Sequence, residues 1–349
     1  MVLRLFRSVG RRGAGSGALL LGLCLAAPAA RVEALSSGAD FLSVQVPARP
    51  AALAGAFVAY HDDPNAFLWD PAALGALTEP LLGATQFSSI GDTNFDEAAF
   101  AQPLRIWDAD AGLGLAVQYD STSNFDQIDA NGNNLGAVEN YDLLMDLAGG
   151  LALSPTLRLG VGGKLFSSRL QEFQSHALAV DVGGQSDMGS KVTLGVSFNN
   201  LGLQQSYDQV SDPLPALLEM GARVQVVDTP MIQVNGAAEL DRPWAGDNPI
   251  TLGLGLEYSV MRAVVFRAGW RLGQDLGALS LGLGFRWRGM TLDYAYDNLG
   301  DLGLTNRFSL GVELGTLFKR WGLTVDPIEG QRRLPADLTG HVQAPEAKP

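Results

Sequence analysis

Two-residue alternation of apolar and polar side chains is the feature that most constrains this chain. Ile250–Tyr258 reads ITLGLGLEY and Leu279–Trp287 reads LSLGLGFRW, with a large apolar residue at every second position. Gly, Ser, Thr or a charged residue occupies the positions between them. Successive side chains of a β-strand point to opposite faces, so this period predicts strands with one apolar face and one polar face.

The alternation recurs from Leu81 to Phe318, and we count about fourteen such segments. Strands are expected near residues 81–90, 94–103, 112–120, 138–153, 156–167, 174–187, 190–200, 216–228, 230–241, 249–260, 263–272, 277–288, 289–298 and 305–318. Short turns alternate with longer polar loops, which we expect at 121–137, 201–215, 242–248 and 298–304. An even number of roughly ten-residue strands joined in this way predicts an all-β fold, an antiparallel transmembrane β-barrel of about 14 strands.

A soluble β-sandwich is the alternative, since its strands also alternate. A sandwich, however, gives no reason for the glycines and arginines that share the second face in strand after strand. Aromatic residues fall where strands end, as expected of the girdles at the two membrane interfaces. The inner girdle would contain Tyr258, Trp287 and Phe318, and the outer girdle Phe198, Trp270, Tyr294, Tyr296 and Phe308.

Residues 1–34 have the composition of a signal peptide. Four arginines in Arg4–Arg12 precede the apolar run Gly17–Ala30, and small residues suited to cleavage follow near Ala30 and Ala34. A membrane anchor is the alternative, but the run is shorter than the roughly 20 residues of a spanning helix. An exported barrel belongs in the bacterial outer membrane, where lipid would surround it.

Composition and motifs argue against nucleic-acid binding and catalysis. The formal net charge is −13, whereas a nucleic-acid partner usually requires a basic patch. The single cysteine, Cys24, lies in the signal peptide, so the mature chain would have no thiol for a disulfide or a metal. The three histidines are scattered, and Gly160–Ser168 lacks the Ser or Thr of a phosphate-binding loop. We expect no enzymatic activity, no cofactor and no metal site.

The polar face of the strands should line the barrel lumen, and it is rich in glycine. Glycine is favoured where other backbone approaches closely, so we expect a segment of chain inside the barrel. Basic residues share this face, and the lumen-facing charges we expect are Arg158, Lys164, Arg267, Arg271, Arg286 and Arg307.

The segment before the first strand, residues 35–80, is the candidate plug because it lacks alternation. Its acidic residues would pair with the basic lumen residues, since buried charges must be matched. A solvated periplasmic extension is the alternative. The plug motif contains Arg49, Gly55, Asp62, Asp63, Trp69, Asp70 and Pro71. The barrel would follow at 81–318, and the Pro-rich and charged residues 319–349 predict a disordered periplasmic tail.

The same segment resembles a known family. Arg49, Ala52, Leu53 and Gly55–Ala59, followed by DDPNAFLWDPAAL at Asp62–Leu74, are similar to the start of mature PorV/PorQ proteins. Later landmarks of that family resemble LGVSFNNLG at 194–202 and LDYAYDNLGDLGLTNRFSLGVEL at 292–314. The chain departs from the pattern at Ala54, where a Gly is usual, and at Asp70, where an Asn is usual.

The resemblance implies a FadL-like outer-membrane barrel with a plug. Members that act in type IX secretion bind the C-terminal signal domains of secreted proteins and carry them to the surface attachment machinery. The resemblance therefore implies cargo proteins and secretion-machinery subunits as partners. A FadL-like channel for small hydrophobic solutes and a purely structural barrel are the alternatives, and the sequence does not decide between the three.

Overall fold

A computed structural model of the chain describes residues 40–44, 46–89, 93–128, 131–170, 173–202, 205–207, 210–244, 249–273, 279–298 and 304–320. The predicted signal peptide lies outside these residues, as does the predicted tail beyond Arg320. Within the described part of the chain, no helix has the length and apolar character needed to cross a membrane.

Sixteen strands are found among the described residues. They are β1 (Leu81–Ser88), β2 (Thr93–Ile106), β3 (Ala109–Ile128), β4 (Asn134–Ser154), β5 (Leu157–Leu170), β6 (Phe173–Met188), β7 (Val192–Gly202), β8 (Gln205–Tyr207), β9 (Val210–Asp212), β10 (Leu217–Asp228), β11 (Ile232–Pro243), β12 (Thr251–Val260), β13 (Val264–Leu272), β14 (Leu279–Trp287), β15 (Met290–Asn298) and β16 (Leu304–Glu313). A separate two-stranded ribbon consists of β8 and β9. The other fourteen form one barrel.

The barrel is antiparallel and closed. Each strand pairs with its neighbours in the chain, β7 pairs with β10, and β1 closes the barrel by pairing with β16. The predicted fold class is therefore confirmed. Closure leaves no unpaired sheet edge, which is what a β-structure needs in order to cross a lipid bilayer.

Large apolar side chains are exposed on the outer face of the barrel. Among them are Leu113, Leu147, Val161, Leu178, Leu254, Phe266, Leu283, Leu292 and Leu310. An apolar surface that surrounds a closed barrel is stable only where lipid covers it. The chain is a transmembrane β-barrel of the bacterial outer membrane, as its alternation predicts.

Three predicted elements are wrong, and one of them is the expected loop at 201–215, which contains the β8–β9 ribbon. The expected loop at 121–137 is largely strand, because β3 and β4 continue their pairing to Ile128 and Asn134. The last strand ends at Glu313, and Leu314–Arg320 forms the short helix α2, which contains Phe318. Glu79 accepts hydrogen bonds from the backbone N and the hydroxyl of Thr316, which anchors α2 against the start of the barrel. Phe318 therefore does not end a strand at the inner girdle.

The segment before β1 lies inside the barrel. It contains a 3-10 helix at Asp40–Ser43, the α-helix α1 (Ala48–Ala52), and 3-10 helices at Ala66–Leu68 and Pro71–Ala76. Its apolar residues form the largest fully buried side chains of the protein, Tyr60, Phe57, Phe67, Leu53 and Leu74 among them. The core of this protein is therefore the plug, which we define as Val46–Leu77.

Candidate functional site

Glycines of the barrel wall make room for the plug backbone. A Cβ atom at Gly160 would overlap the backbone of Pro71, and one at Gly195 would overlap the carbonyl of Val58. Gly269 meets the backbone of Ala54 in the same way. No larger residue fits at these positions unless the plug moves, since protein interiors are close-packed.

Polar side chains of the wall hold the plug backbone. Glu239 Oε2 accepts hydrogen bonds from the backbone N of Phe57 at 2.7 Å and of Val58 at 2.6 Å. Gln185 Nε2 donates to the carbonyl oxygens of Val58 at 2.9 Å and Tyr60 at 3.0 Å. A plug with little regular secondary structure has backbone groups that need such partners when buried.

Arg49 is the centre of a buried charge network at the inner end of the plug. Its Nε lies 3.0 Å from Glu257 Oε2, and its Nη1 lies 3.3 Å from both Asp62 Oδ1 and Asp63 Oδ2. From the wall, Arg267 Nε approaches the same Glu257 oxygen at 2.8 Å. Two cations thus share one carboxylate between plug and wall.

The charges of this network are mutually stabilised. Burial by itself lowers the pKa of Arg49, but the carboxylates of Asp62, Glu257 and Asp63 raise that pKa well above its ordinary value. Burial raises the pKa of Asp62, but Arg223 and Arg49 bring it well below its ordinary value. Arg49 and Asp62 are therefore charged at neutral pH, and the contacts of Arg49 with Glu257 and of Asp62 with Arg223 fix the plug to the wall.

Asp70 has a different environment. Its Oδ1 accepts a hydrogen bond of 2.8 Å from the backbone N of Ala72, which caps the helix Pro71–Ala76. Its Oδ2 is buried without a hydrogen-bond partner. Burial raises the pKa of Asp70 to about 8, so the side chain holds its proton at neutral pH.

The predicted plug motif is spread over the plug. The structure brings Arg49, Asp62 and Asp63 together in the charge network. Gly55 has a φ of 80° in the turn after α1, and Trp69 packs edge-on against Phe57 at 5.4 Å between ring centroids. The remaining two members, Asp70 and Pro71, begin the last helix of the plug.

The predicted lumen charges face the lumen, but most of their partners differ from those expected. Asp187 pairs with Arg158 at 2.8 Å, Asp181 with Lys164 at 2.8 Å, Asp241 with Arg271 at 3.3 Å, and Asp297 with Arg307 at 3.7 Å. Arg267 contacts Asp293 as well as Glu257, and Arg286 lies 3.7 Å from Glu257. All of these acidic partners belong to the wall. The prediction that an acidic plug pairs with basic walls is therefore wrong for these six residues.

Sequence reasoning missed the acidic half of the lumen. The buried acids of the inner face include Glu97, Asp146, Asp181, Glu219, Glu239, Asp241, Glu257 and Asp293. The signal was present, because Glu257 stands two residues after Gly255 on the polar face of the segment ITLGLGLEY. The same two-residue period that placed the arginines also places these acids.

A chamber of about 410 Å³ lies between the plug and the outer end of the barrel. Its floor is apolar and is formed by residues of the N-terminal segment: Leu42, Val44, Val46, Leu68 and Trp69. Its walls carry Glu97, Lys164, Glu219, Asp241 and Arg271. These wall residues lie near the strand ends that the longer connections join, which is the outer side of such barrels.

A smaller cavity of about 150 Å³ lies on the other side of the plug. It is lined by Arg49, Asp62 and Asp63 of the plug and by residues such as Leu81 and Glu313 at the inner ends of strands. Pro47 lines both cavities. Pro47, at the start of the plug, therefore lies between the two spaces.

Three carboxylates near the chamber could in principle hold a cation. Among the described residues, Glu219, Glu239 and Asp241 have oxygens within 4.8 Å of one another. Hard cations such as Ca²⁺ prefer oxygen ligands. Each carboxylate, however, already serves another group: Glu239 binds the plug backbone, Asp241 binds Arg271, and Glu219 accepts from Asn199. Their role in anchoring plug and wall accounts for the cluster, and we assign no metal to it.

Comparisons with known proteins agree on the fold. In sequence the chain matches no protein-family model and no curated protein, so the PorV/PorQ resemblance rests on the residues quoted above. In structure it is similar to the Ralstonia pickettii toluene transporter TbuX, with a TM-score of 0.52 at 14% identity over 76% of this chain and 96% of that chain. It is also similar to a Pseudomonas aeruginosa FadL homologue, with a TM-score of 0.53 at 12% identity over 77% of this chain and 99% of that chain. The fold is that of FadL-type outer-membrane barrels.

Proposed function

We propose that this protein is a plugged outer-membrane channel that admits small organic solutes with apolar groups. The chamber on the outer side of the plug carries this proposal. Its volume of about 410 Å³ suits a small molecule, because ligand sites are concave spaces of roughly this size, and its apolar floor would contact the apolar part of such a solute. The proposal assigns no enzymatic activity to the chain.

The two cavities suggest the route. A solute in the outer chamber is separated from the inner cavity by Pro47 and the helix α1. The backbone N of Ala48 in this helix donates to Ser309 Oγ on the wall at 2.8 Å, and Arg49 joins the charge network. Passage would require only Pro47 and α1 to shift. The rest of the plug, which packs against glycines of the wall, would stay in place.

The similar structures support a solute channel. TbuX is described as a toluene transporter, which is a property of that protein, and the present chain shares its fold. Fold alone does not determine function, so for this chain transport must be tested directly.

The test is solute flux through a plug that can be locked. Cysteines replace Ala48 and Ser309, which are in contact between α1 and the wall, and disulfide formation is verified by mass spectrometry before flux is measured. The only native cysteine, Cys24, lies in the predicted signal peptide, so the engineered pair would react alone. In proteoliposomes we expect flux of a labelled aromatic solute through the parent, little flux through the oxidised pair, and recovery after reduction. Each single-cysteine variant is the control, and equal flux with and without the disulfide would reject the proposal.

Cargo binding in protein secretion is the second candidate, favoured by the resemblance of Arg49–Leu74 and of the two later landmarks to PorV/PorQ proteins. The Arg49–Leu74 block is largely buried in the lumen, so it offers little surface to a cargo domain. Cargo would have to dock elsewhere, on the outer loops. The test is binding of purified C-terminal signal domains from the same genome to the reconstituted barrel, with unrelated β-domains of similar size as the control.

A further inference from the structure

The outer chamber is lined by acidic side chains that have oxygens without a hydrogen-bond partner among the described residues. Glu97 on β2 lines the chamber with 6% of its surface exposed, and its Oε1 has no hydrogen-bond partner. Asp241, on the opposite side of the barrel, also lines the chamber and has an unpartnered Oδ1. Buried polar atoms are normally hydrogen-bonded, so unpartnered oxygens on side chains that line a cavity point to a donor that enters it.

The cations of the chamber are already occupied. Lys164 Nζ lies 2.8 Å from Asp181 and donates to Asn200 Oδ1 at 2.9 Å. Arg271 pairs with Asp241 Oδ2 at 3.3 Å and donates to the carbonyl oxygen of Ala54. A carboxylate or phosphate ligand would find these donors engaged and would face the unmatched Glu97. The chamber therefore disfavours anions.

A pure hydrocarbon is also a poor match. It would remove water from Glu97 and Asp241 without supplying a donor in return, and buried polar groups left without partners are costly. An ammonium group supplies three donors and one positive charge. The apolar floor and the ring of Trp69 would contact the rest of such a molecule, and an aromatic face also attracts a cation.

We propose that the chamber binds primary amines with a small apolar or aromatic tail, with the ammonium group at Glu97. This inference rests on the proposed channel function, since it names the class of solute that the channel receives. The inference can be tested separately from that function, because amine binding can be measured without any flux.

Calorimetry of the detergent-solubilised full-length protein tests the inference with two probes that share one carbon skeleton, 2-phenylethylamine and 2-phenylethanol. We expect the amine to bind about tenfold more tightly or better, as a charge-assisted hydrogen bond allows. Glu97→Gln keeps the shape of the side chain and should remove this preference. Asp96→Asn, the next residue on the same strand but exposed on the outer face, is the matched control and should keep it.

Each outcome decides the question. Equal affinity of the parent for the two probes would overturn the inference, and this comparison does not depend on any variant folding. A preference that survives in Glu97→Gln would also overturn it. Heat from a Ca²⁺ titration without an amine preference would show a divalent-cation site instead. If the amine preference holds while the locked-plug experiment shows no flux, the inference stands and the channel function falls. If the locked-plug experiment shows flux while the two probes bind equally, the channel function stands and the amine inference falls.

Discussion

The inner and outer parts of the lumen differ in how their buried charges are arranged. At the inner part, Glu257 is 1% exposed and lies between Arg49 and Arg267, both within 3.0 Å. At the outer part, Glu97 is nearly as buried but has no partner for Oε1 and borders a chamber. Two carboxylates on equivalent faces of the same barrel therefore have opposite surroundings.

The two arrangements point to different roles: the inner charges hold the plug, and the outer carboxyl group is available to a ligand. Matched charges, together with glycines pressed against backbone, fix the plug at the inner end, where movement would leave charges unpaired. A buried carboxyl oxygen without a partner does not stabilise the fold, and its place beside a chamber points to ligand binding. Natural proteins break local rules of this kind chiefly at functional sites.

Removing the plug should have the largest effect. Deletion of residues 38–77 takes away the side chains that fill the lumen and leaves Glu257 without Arg49. We expect large, steady conductance in planar bilayers and a lower unfolding temperature, provided that the variant still shows heat-modifiable migration in SDS gels. If the folded deletion variant conducts no more than the parent, the plug does not seal the barrel.

Neutralising the two contrasted carboxylates should give opposite results. Glu257→Gln leaves Arg49 and Arg267 without their shared anion and should cost about 3–5 kcal/mol, the range for breaking a buried pair. Glu97→Gln replaces a buried carboxyl group whose Oε1 has no partner, and it should leave the free energy of unfolding unchanged or raise it. Heat-modifiability of both variants at several temperatures is the measurement. Equal losses would mean that Glu97 has a partner in the fold.

The close contacts between wall glycines and the plug backbone can be tested on a single strand, β5. Gly160→Ala places a Cβ against the backbone of Pro71 and should cost about 1–3 kcal/mol through overpacking, or displace the plug. Gly163→Ala, three residues further along β5 on the outer face, meets no atom within 4 Å and should change stability by less than about 0.5 kcal/mol. Similar losses at both positions would show that glycine matters here for the strand and not for the plug.

The two-residue period accounts for the features of this molecule that could be predicted from its sequence. The fourteen barrel strands and the face of each lumen arginine follow from a period of two residues, which local geometry enforces. The partners of those arginines could not be predicted, because Arg158 and Asp187 lie 29 residues apart and meet only through strand register. The chamber was beyond prediction for the same reason: its floor comes from Leu42–Trp69, while its walls come from strands on opposite sides of the barrel.

Asp70 should show the smallest effect, and its sign depends on pH. The ordinary pKa of 3.8 applies to the unfolded chain, whereas burial raises the pKa of Asp70 in the fold to about 8. Between these two values the folded state binds more protons than the unfolded state, so this residue makes the protein less stable as pH rises through that window. Above about pH 8 the penalty is constant, since both states are ionised.

Asp70→Asn separates the ionisable group from the hydrogen bond that caps the last helix of the plug. The amide oxygen of Asn can still accept from the backbone N of Ala72, but the side chain no longer ionises. We expect Asp70→Asn to stabilise the fold more at pH 8 than at pH 5, measured by thermal unfolding at both values. Asp62→Asn is the contrasting variant: Arg223 and Arg49 hold the pKa of Asp62 well below its ordinary value, so its loss should destabilise the fold at both pH values. If Asp70→Asn is instead less stable at pH 8, then Asp70 is ionised and matched in the fold, and the charge pattern of the inner lumen extends along the whole plug.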